Sequence, residues 1–269
     1  MGEIKMLDDR LTLLIHSCDK FSDLWDAHMY LLNKNWNDRN IDTILLTDKE
    51  TERSFEGVRI VSAGNGTELS DRTAFVLPQI NTEYVLITLD DYFPIYDVCS
   101  EKIERLIKIM DKENIDYLRL FCDPNSHKKF LDYDKLYKIP LDKNYDVNLY
   151  QGIWRKSFIE KTIRQSLNAW QYEVSLTSIA RECNARCVLS KGKEFEILDV
   201  VRKGKLLHKA NRYLKKHNLY NGDRKTIEWK EEVRIYLFNR GKKILPKFAA
   251  KWIKGFLQKR GYKFYSESV

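Results

Sequence analysis

Two carboxylates stand side by side at the end of an apolar run in "VLITLDDYFP", residues 85–94. Adjacent acids repel, and burial strengthens the repulsion because it strips water from the charged form. A divalent cation set between the acids and a polyphosphate relieves it. Mg²⁺ and Mn²⁺ are hard ions that take one or two carboxylates and complete their shells with phosphate oxygens and water. Asp90 and Asp91 therefore read as a nucleotide-diphosphate site with a metal. The plainer alternative is a solvent-facing turn after a strand, and the pair alone does not separate the two.

Such a pair needs a strand to place it. "LTLLIHSC" is apolar on both faces, the pattern of a central parallel strand covered from both sides. "DKFSDLWDAHMYLLNKNW" follows with Phe21, Leu24, Trp25, Met29 and Leu32 at helical spacing and Ser22 as N-cap. "DTILLTD" and "GVRIVSAG" give two more strands. "ELSDRTAFVLPQI" gives a helix with Ser70 as N-cap and Pro78 disturbing its end, then "EYVLITLDDYF" another strand. "EKIERLIKIMDKEN" is a helix that leads into the strand "DYLRLF". The order β-α-β-β-α-β-α-β predicts an α/β fold with a mainly parallel sheet. Ligands of such sheets bind beyond the carboxyl ends of the strands. Asp90 and Asp91 lie at one such end, Ser17, Cys18 and Asp19 at a second, and Asp48 at a third. Beyond residue 122 the pattern loosens. "LYQGIWRKSFIEKTIRQSLNAWQYEVSLTSIARECNA" has helical spacing in two pieces, "KGKEFEILDVVRKGKLL" reads as strands and turns, and "HKANRYLKKHNL" opens a basic helical end.

The succession "TLLIHSCDKFSDLW", "TILLTD" and "INTEYVLITLDDYF" resembles bacterial sugar transferases of the GT-A glycosyltransferase fold, of the type that builds capsule, lipopolysaccharide or related surface glycans. The likeness runs over roughly residues 10–210. "LYQGIWRKSFI" is similar to that group's acceptor-side segment, "AWQYEVS" to its Trp-x-x-Glu helix start, and "VVRKGKLL" to its segment closing over the donor. The resemblance implies a GT-A catalytic domain over residues 1–222 and a basic helical extension over 223–269. It implies a hexosyltransferase that uses Mn²⁺ or Mg²⁺, a nucleotide-diphosphate sugar, commonly a UDP-sugar, as donor and a lipid-linked glycan as acceptor. Residue by residue, Asp91 is the metal ligand and Asp90 stands beside it, on the ribose or the metal shell. Leu89 occupies the place of the first acid in the family's Asp-x-Asp motif, which leaves the division of labour between the two open. Ser17, Asp19 and Asp48 hold the nucleoside, Glu173 is the general base of an inverting member, and Gln151, Trp154 and Trp170 lie on the acceptor side.

Inverting sugar transfer needs one base for the acceptor hydroxyl and neutralisation of the departing diphosphate. Arg202, Lys203 and Lys205 are cations suited to that leaving group, with Gly204 between them permitting close backbone approach. Glu173 has a structural alternative as a carboxylate favoured by a helix N-terminus. Trp154 and Trp170 have one as core residues. His16 is expected as a hydrogen-bonded histidine of the first strand. The loop Gly64, Asn65, Gly66, Thr67 follows the third strand, not the first, so it reads as a turn before a helix and not as the phosphate loop of a nucleotidyltransferase. The five cysteines show no disulfide framework and suit a reducing compartment.

The net charge of +8 is unevenly spread: residues 201–269 carry a net +15 and residues 1–200 a net −7. An acidic body of this kind is not built to bind nucleic acid along its surface. Within "GKKILPKFAAKWIKGFLQKRGYKF", residues 241–264, Ile244, Leu245, Phe248, Trp252, Ile253, Phe256 and Leu257 share one helical face, with lysines opposite. That face suits an anionic membrane surface, contacted through 241–269. Without a signal-peptide core at the N-terminus or an apolar run of membrane-spanning length, the expectation is a cytoplasmic protein peripheral to the inner face of the cell membrane. Two other readings remain at this stage: a basic adaptor that binds membrane or nucleic acid without catalysis, and a sugar-phosphate nucleotidyltransferase.

Overall fold

The computed structural model describes residues 6–121 and 128–234. The chain divides into two compact units, Met1–Leu198 and Asp199–Val269. Residues 223–269, expected as an extension of a 1–222 domain, fall in the second unit, and the amphipathic stretch 241–264 lies outside the described residues.

The first unit runs β1 (Leu11–His16), α1 (Trp25–Asn35), β2 (Thr43–Thr47), β3 (Arg59–Ser62), α2 (Leu69–Val76), β4 (Tyr84–Leu89), β5 (Tyr92–Pro94), α3 (Ser100–Lys112), β6 (Tyr117–Arg119), β7 (Leu136–Lys138), β8 (Gly152–Arg155), α4 (Lys156–Thr162), α5 (Ala169–Glu182) and β9 (Cys187–Ser190). Its main sheet is eight-stranded, in the order β3-β2-β1-β4-β8-β6-β9-β7. Neighbours from β3 to β4 are parallel, as are β6 and β9. β8 runs against both β4 and β6, and β7 against β9. The α/β class and mainly parallel sheet are those the sequence predicts.

Alternation along β1 explains why its apolar run covers both faces. Leu11, Leu13 and Ile15 pack with Trp25, Met29, Leu32 and Trp36 around α1 and with Ile103, Leu106, Ile107 and Met110 of α3. Leu14 points the other way, into a second core with Val76 of α2, Phe158 and Ile159 of α4, and Tyr172 and Leu176 of α5. Side chains alternate across a strand, so a strand between two helix layers must be apolar at odd and even positions alike.

Several local expectations change. Ser22 does not cap a helix; it lies inside a 3-10 helix, Asp19–Leu24, that precedes α1. Ser70 is not the cap of α2 either. Glu68 caps that helix, and the Ser70 hydroxyl donates to the Gln165 and Leu167 carbonyls, pinning α2 to the approach of α5. β8 occupies part of a segment with helical spacing, because Ile153 and Trp154 fill opposite cores across the sheet. Pro78 falls in a short 3-10 turn, Leu77–Gln79, just after α2.

In the second unit Val201–Arg202 and Lys205–Leu206 form an antiparallel hairpin, followed by a helix at His208–Lys216. Lys203 and Gly204 both have positive φ, 53° and 76°, as a two-residue hairpin turn requires.

The β4, β8 and β6 junction depends on one small residue. Gly152 pairs with Ile87 and with Arg119. A Cβ there would stand 2.9 Å from Tyr117 Cε2 and 3.1 Å from the Leu118 carbonyl oxygen. The Tyr117 ring is fully buried and has nowhere to go. Gly152→Ala is expected to lower stability by about 1–3 kcal/mol, read as a lower urea midpoint with an unchanged slope.

Candidate functional site

The parallel strands β1, β2 and β4 end at the same edge of the sheet, because His16 is in register with Leu46 and with Leu89. The residues after those ends therefore converge. Asp90 is buried, and its carboxylate accepts a hydrogen bond from Ser17 Oγ. Ser17 Oγ in turn accepts from the indole N–H of Trp25 at 2.6 Å. The Asp90 backbone N–H donates to the His16 carbonyl at 3.1 Å, and its own carbonyl accepts from His28 Nδ1 at 2.9 Å. Asp48 Oδ1 accepts from the Asp19 backbone N–H at 2.6 Å, linking the ends of β1 and β2. Asp19 Oδ2 is 2.7 Å from Lys49 Nζ on the exposed rim. Asp91 follows Asp90 in the turn between β4 and β5, with its Oδ1 buried.

Cys18 reports how these charges are grouped. Burial pushes its thiol up, the Asp90 and Asp48 carboxylates add to the rise, and the Arg72 guanidinium opposes it. Arg72, on α2, thus lies near enough to Cys18 and His16 for its charge to act on them, a neighbour the sequence did not point to. Its Nη1 donates to the Thr67 carbonyl at 2.6 Å, while its buried Nε has no hydrogen-bond partner among the described residues. The only sequence signal was a cation in the helix after the third strand. The glycine loop before α2 is the turn expected: Gly64 and Gly66 have φ of 97° and 76°, and Thr67 Oγ1 donates to the Gly64 carbonyl at 2.7 Å.

The other named residues distribute differently. Glu173 lies in the first half of α5, a helix started by the reciprocal capping pair Asn168 and Gln171. It is buried, and its Oε1 accepts from the Leu149 backbone N–H at 3.0 Å. Burial pushes its carboxyl up and the Leu149 hydrogen bond opposes that. One turn on, Thr177 Oγ1 accepts from the Val147 N–H at 3.0 Å, so α5 clamps the loop that leads into β8. Gln151, at the end of that loop, is buried, and its amide donates to the Phe195 carbonyl at 3.0 Å. Trp154 is not an acceptor platform. It is 1% exposed, between Tyr117 and Phe158 in the core, so no face of its ring is open to a ligand. Trp170 is 60% exposed on the first turn of α5. In the second unit, Arg202 pairs with Asp199 at 2.9 Å, and Lys203 and Lys205 each lie 3.4 Å from a Glu231 carboxylate oxygen.

Among the described residues no group of three or more His, Cys, Asp or Glu is placed to hold a metal ion. Of the two adjacent acids, Asp90 is buried and engaged by Ser17, and Asp91 follows it into the turn.

His16 departs from expectation: it is buried, yet neither ring nitrogen has a hydrogen-bond partner among the described residues. Burial, with Arg72 adding to it, lowers its pKa to about 3, and burial lowers that of His28 to about 4. Both are neutral in the fold at pH 7. The unfolded chain takes up these protons near pH 6.5, well before the folded one does. Stability is therefore lost as pH falls from about 6.5 towards 4. His16→Leu is expected to flatten this loss by up to about 1.4 kcal/mol per pH unit, measured as urea midpoints from pH 7.5 to 5.

No protein-family model matches the chain, and no curated protein sequence does. Solved structures match it by fold. Residues 1–349 of S. aureus TarS in complex with UDP-GlcNAc align with a TM-score of 0.52 and 13% identity, over 73% of this chain and 60% of that one. S. aureus TarS itself aligns with a TM-score of 0.50 and 12% identity, over 69% of this chain and 36% of that one. The chain thus spans less than two thirds of the TarS chains it matches. What the alignment shares with the strand order above is the fold: a GT-A-like α/β sheet, mostly parallel, with helices on both faces.

Proposed function

We propose that this chain is a metal-dependent glycosyltransferase that moves a hexose from a nucleotide-diphosphate sugar to a glycan acceptor. The observation that carries the reading is the convergence of Ser17, Asp19, Asp48, Asp90, Asp91 and Arg72 on the carboxyl edge of β1, β2 and β4, in a GT-A-like sheet. The fold likeness to TarS in complex with UDP-GlcNAc favours a UDP-sugar as donor.

In this reading Asp48 and Asp19 hold the nucleoside, and Arg72 supplies positive charge beside it. Asp90 fixes the turn, and Asp91, the acid the family resemblance assigns, would be the principal ligand of a Mn²⁺ or Mg²⁺ that, when bound, would neutralise charge on the departing diphosphate. Cys18 stays a thiol, since burial and two neighbouring acids disfavour its thiolate. Glu173 is the proposed base of an inverting reaction. Its raised proton affinity suits a group that must accept a proton near neutral pH. Surface-polysaccharide synthesis on a lipid-linked acceptor, at the inner membrane face, completes the proposal. Among the described residues no helix is long and apolar enough to cross a membrane, and the basic stretch 241–269 proposed to touch lipid lies outside them.

Thermal-shift titration with UDP, GDP, CDP and TDP, each with Mn²⁺, Mg²⁺ or EDTA, tests the donor site. A ligand bound only by the folded state adds about 2.7 kcal/mol at a hundredfold excess over its Kd. The expected result is a metal-dependent shift with UDP that Asp91→Asn abolishes; no shift with any nucleotide sinks the transferase reading. Glu173 is tested separately. Gln at 173 keeps an oxygen for the Leu149 N–H, so Glu173→Gln is expected to retain the wild-type Tm and nucleotide shift while turnover falls about 10²- to 10⁴-fold. Full turnover in that variant would reduce Glu173 to a clamp for residues 147–149.

A further inference from the structure

At the same edge of the sheet, next to the acidic turn, three aromatic rings lie nearly parallel. Tyr92 follows Asp91 directly, Phe121 lies just past the end of β6, and Tyr150 just before β8. The Tyr92 and Tyr150 rings have centroids 5.6 Å apart at 14°. Tyr150 and Phe121 are 4.5 Å apart at 13°. Tyr150 is thus the shared middle ring, and Phe121 is 37% exposed.

The backbone beneath them is tied down closely. Leu149 N–H goes to Glu173, Val147 N–H to Thr177, and Tyr150 N–H to the Asn148 side chain at 3.1 Å. Leu120 N–H donates to the Gln151 carbonyl at 2.9 Å, which couples the Phe121 and Tyr150 segments. The loop's backbone donors are spent inward, on groups that hold the rings in one arrangement. A rigid, partly exposed aromatic surface beside a polar site is what a ligand with one apolar face requires.

Strand order decides which ligand. Along the edge come Asp48 at β2, Ser17 and Asp19 at β1, the acidic turn at β4, then the rings at β8 and β6. Neighbouring strands are about 4.8 Å apart, so Phe121 at β6 stands about 10 Å from the acidic turn at β4. With a nucleoside over β1 and β2 and its diphosphate at Asp91, that distance lies beyond the donor's own sugar. We propose that the Tyr92, Tyr150 and Phe121 stack is a platform for a pyranose ring of the acceptor, received through its apolar C–H face, with the outer face of Phe121, the exposed end of the stack, as the main contact and Tyr150 backing it. The orientation of this platform rests on the transferase reading; the contact between rings and sugar does not.

The test is saturation-transfer-difference NMR on the full chain with methyl glucoside, methyl galactoside and methyl N-acetylglucosaminide, in saturating UDP and Mn²⁺. At least one glycoside is expected to receive saturation on the ring protons of one face. Phe121→Leu, which keeps apolar volume but removes the flat face, and Tyr150→Leu, which removes the ring that backs it, are expected to cut that signal at least fivefold. Phe121→Tyr is expected to retain it. All three variants are expected to keep the wild-type thermal shift with UDP and Mn²⁺, which also shows that they fold. Silence of every glycoside with the wild type, equal signals in Phe121→Leu, or saturation confined to the sugar of a UDP-sugar would each overturn the proposal. A wild type that binds a glycoside through these rings but shifts with no nucleotide would uphold the platform and overturn the transferase reading.

Discussion

One buried carboxylate organises the functional edge of this protein. Asp90 is 5% exposed, and a charge removed from water must be met by hydrogen bonds or it destabilises the fold. Its side chain takes the Ser17 hydroxyl, its carbonyl takes His28 of α1, and its amide reaches the end of β1. Ser17 is fixed from behind by Trp25, itself buried in the core under β1. The two central strands and the first long helix therefore meet on a single residue. The residues that follow along that edge, Asp91 first, inherit their position from this junction.

That junction answers why a buried strand ends on two acids. The first has become part of the scaffold, satisfied by the protein's own donors, and the second is carried into the turn beside it. The sequence left the division between Asp90 and Asp91 open, and a missing acid at Leu89 was the only hint that the two differ. The hydrogen bonds on Asp90 give it a structural duty of its own. Asp90 is held from three sides, so a metal at Asp91 would bind next to a carboxylate whose geometry is already set.

Periodicity made the sheet and its two helix layers legible, because a strand covered on both faces must be apolar at every position. β1, β2 and β4 come close to this, with only Thr12, His16, Thr43, Thr47 and Thr88 polar, and α3 shows its buried stripe at Ile103, Leu106, Ile107 and Met110. Strand ends, and with them Ser17, Asp19, Asp48 and Asp90, followed from the same pattern. β8 was not legible. Ile153 and Trp154, then Phe158 and Ile159, satisfy a helical spacing even though the first two belong to a strand that feeds opposite cores. Trp154 was misplaced for the same reason, since its burial depends on which neighbour the strand finds. The rings of Tyr92, Phe121 and Tyr150 lie far apart in the chain and meet one another only through register, which no local pattern encodes, and Arg72 likewise nears Cys18 only in the fold. Ser70 shows the converse: a residue of cap type, one position past the actual cap, used to bind a carbonyl from a distant segment.

The reversal at β8 has a consequence for chemistry. Parallel strands deliver only their exits to the carboxyl edge. An antiparallel strand inserted among them delivers its entrance there, so residues 147–151 arrive at the same edge as the acids of β1, β2 and β4. The close approach of β8 to β6 at Gly152 makes this insertion tight, and α5 fixes the incoming loop through Glu173 and Thr177. Glu173 is thereby brought within one residue's reach of Tyr150 without lying near it in sequence. A carboxylate with a raised proton affinity thus clamps this loop from α5. That hydrogen bond, more than any short motif, ties α5 to the entrance of β8.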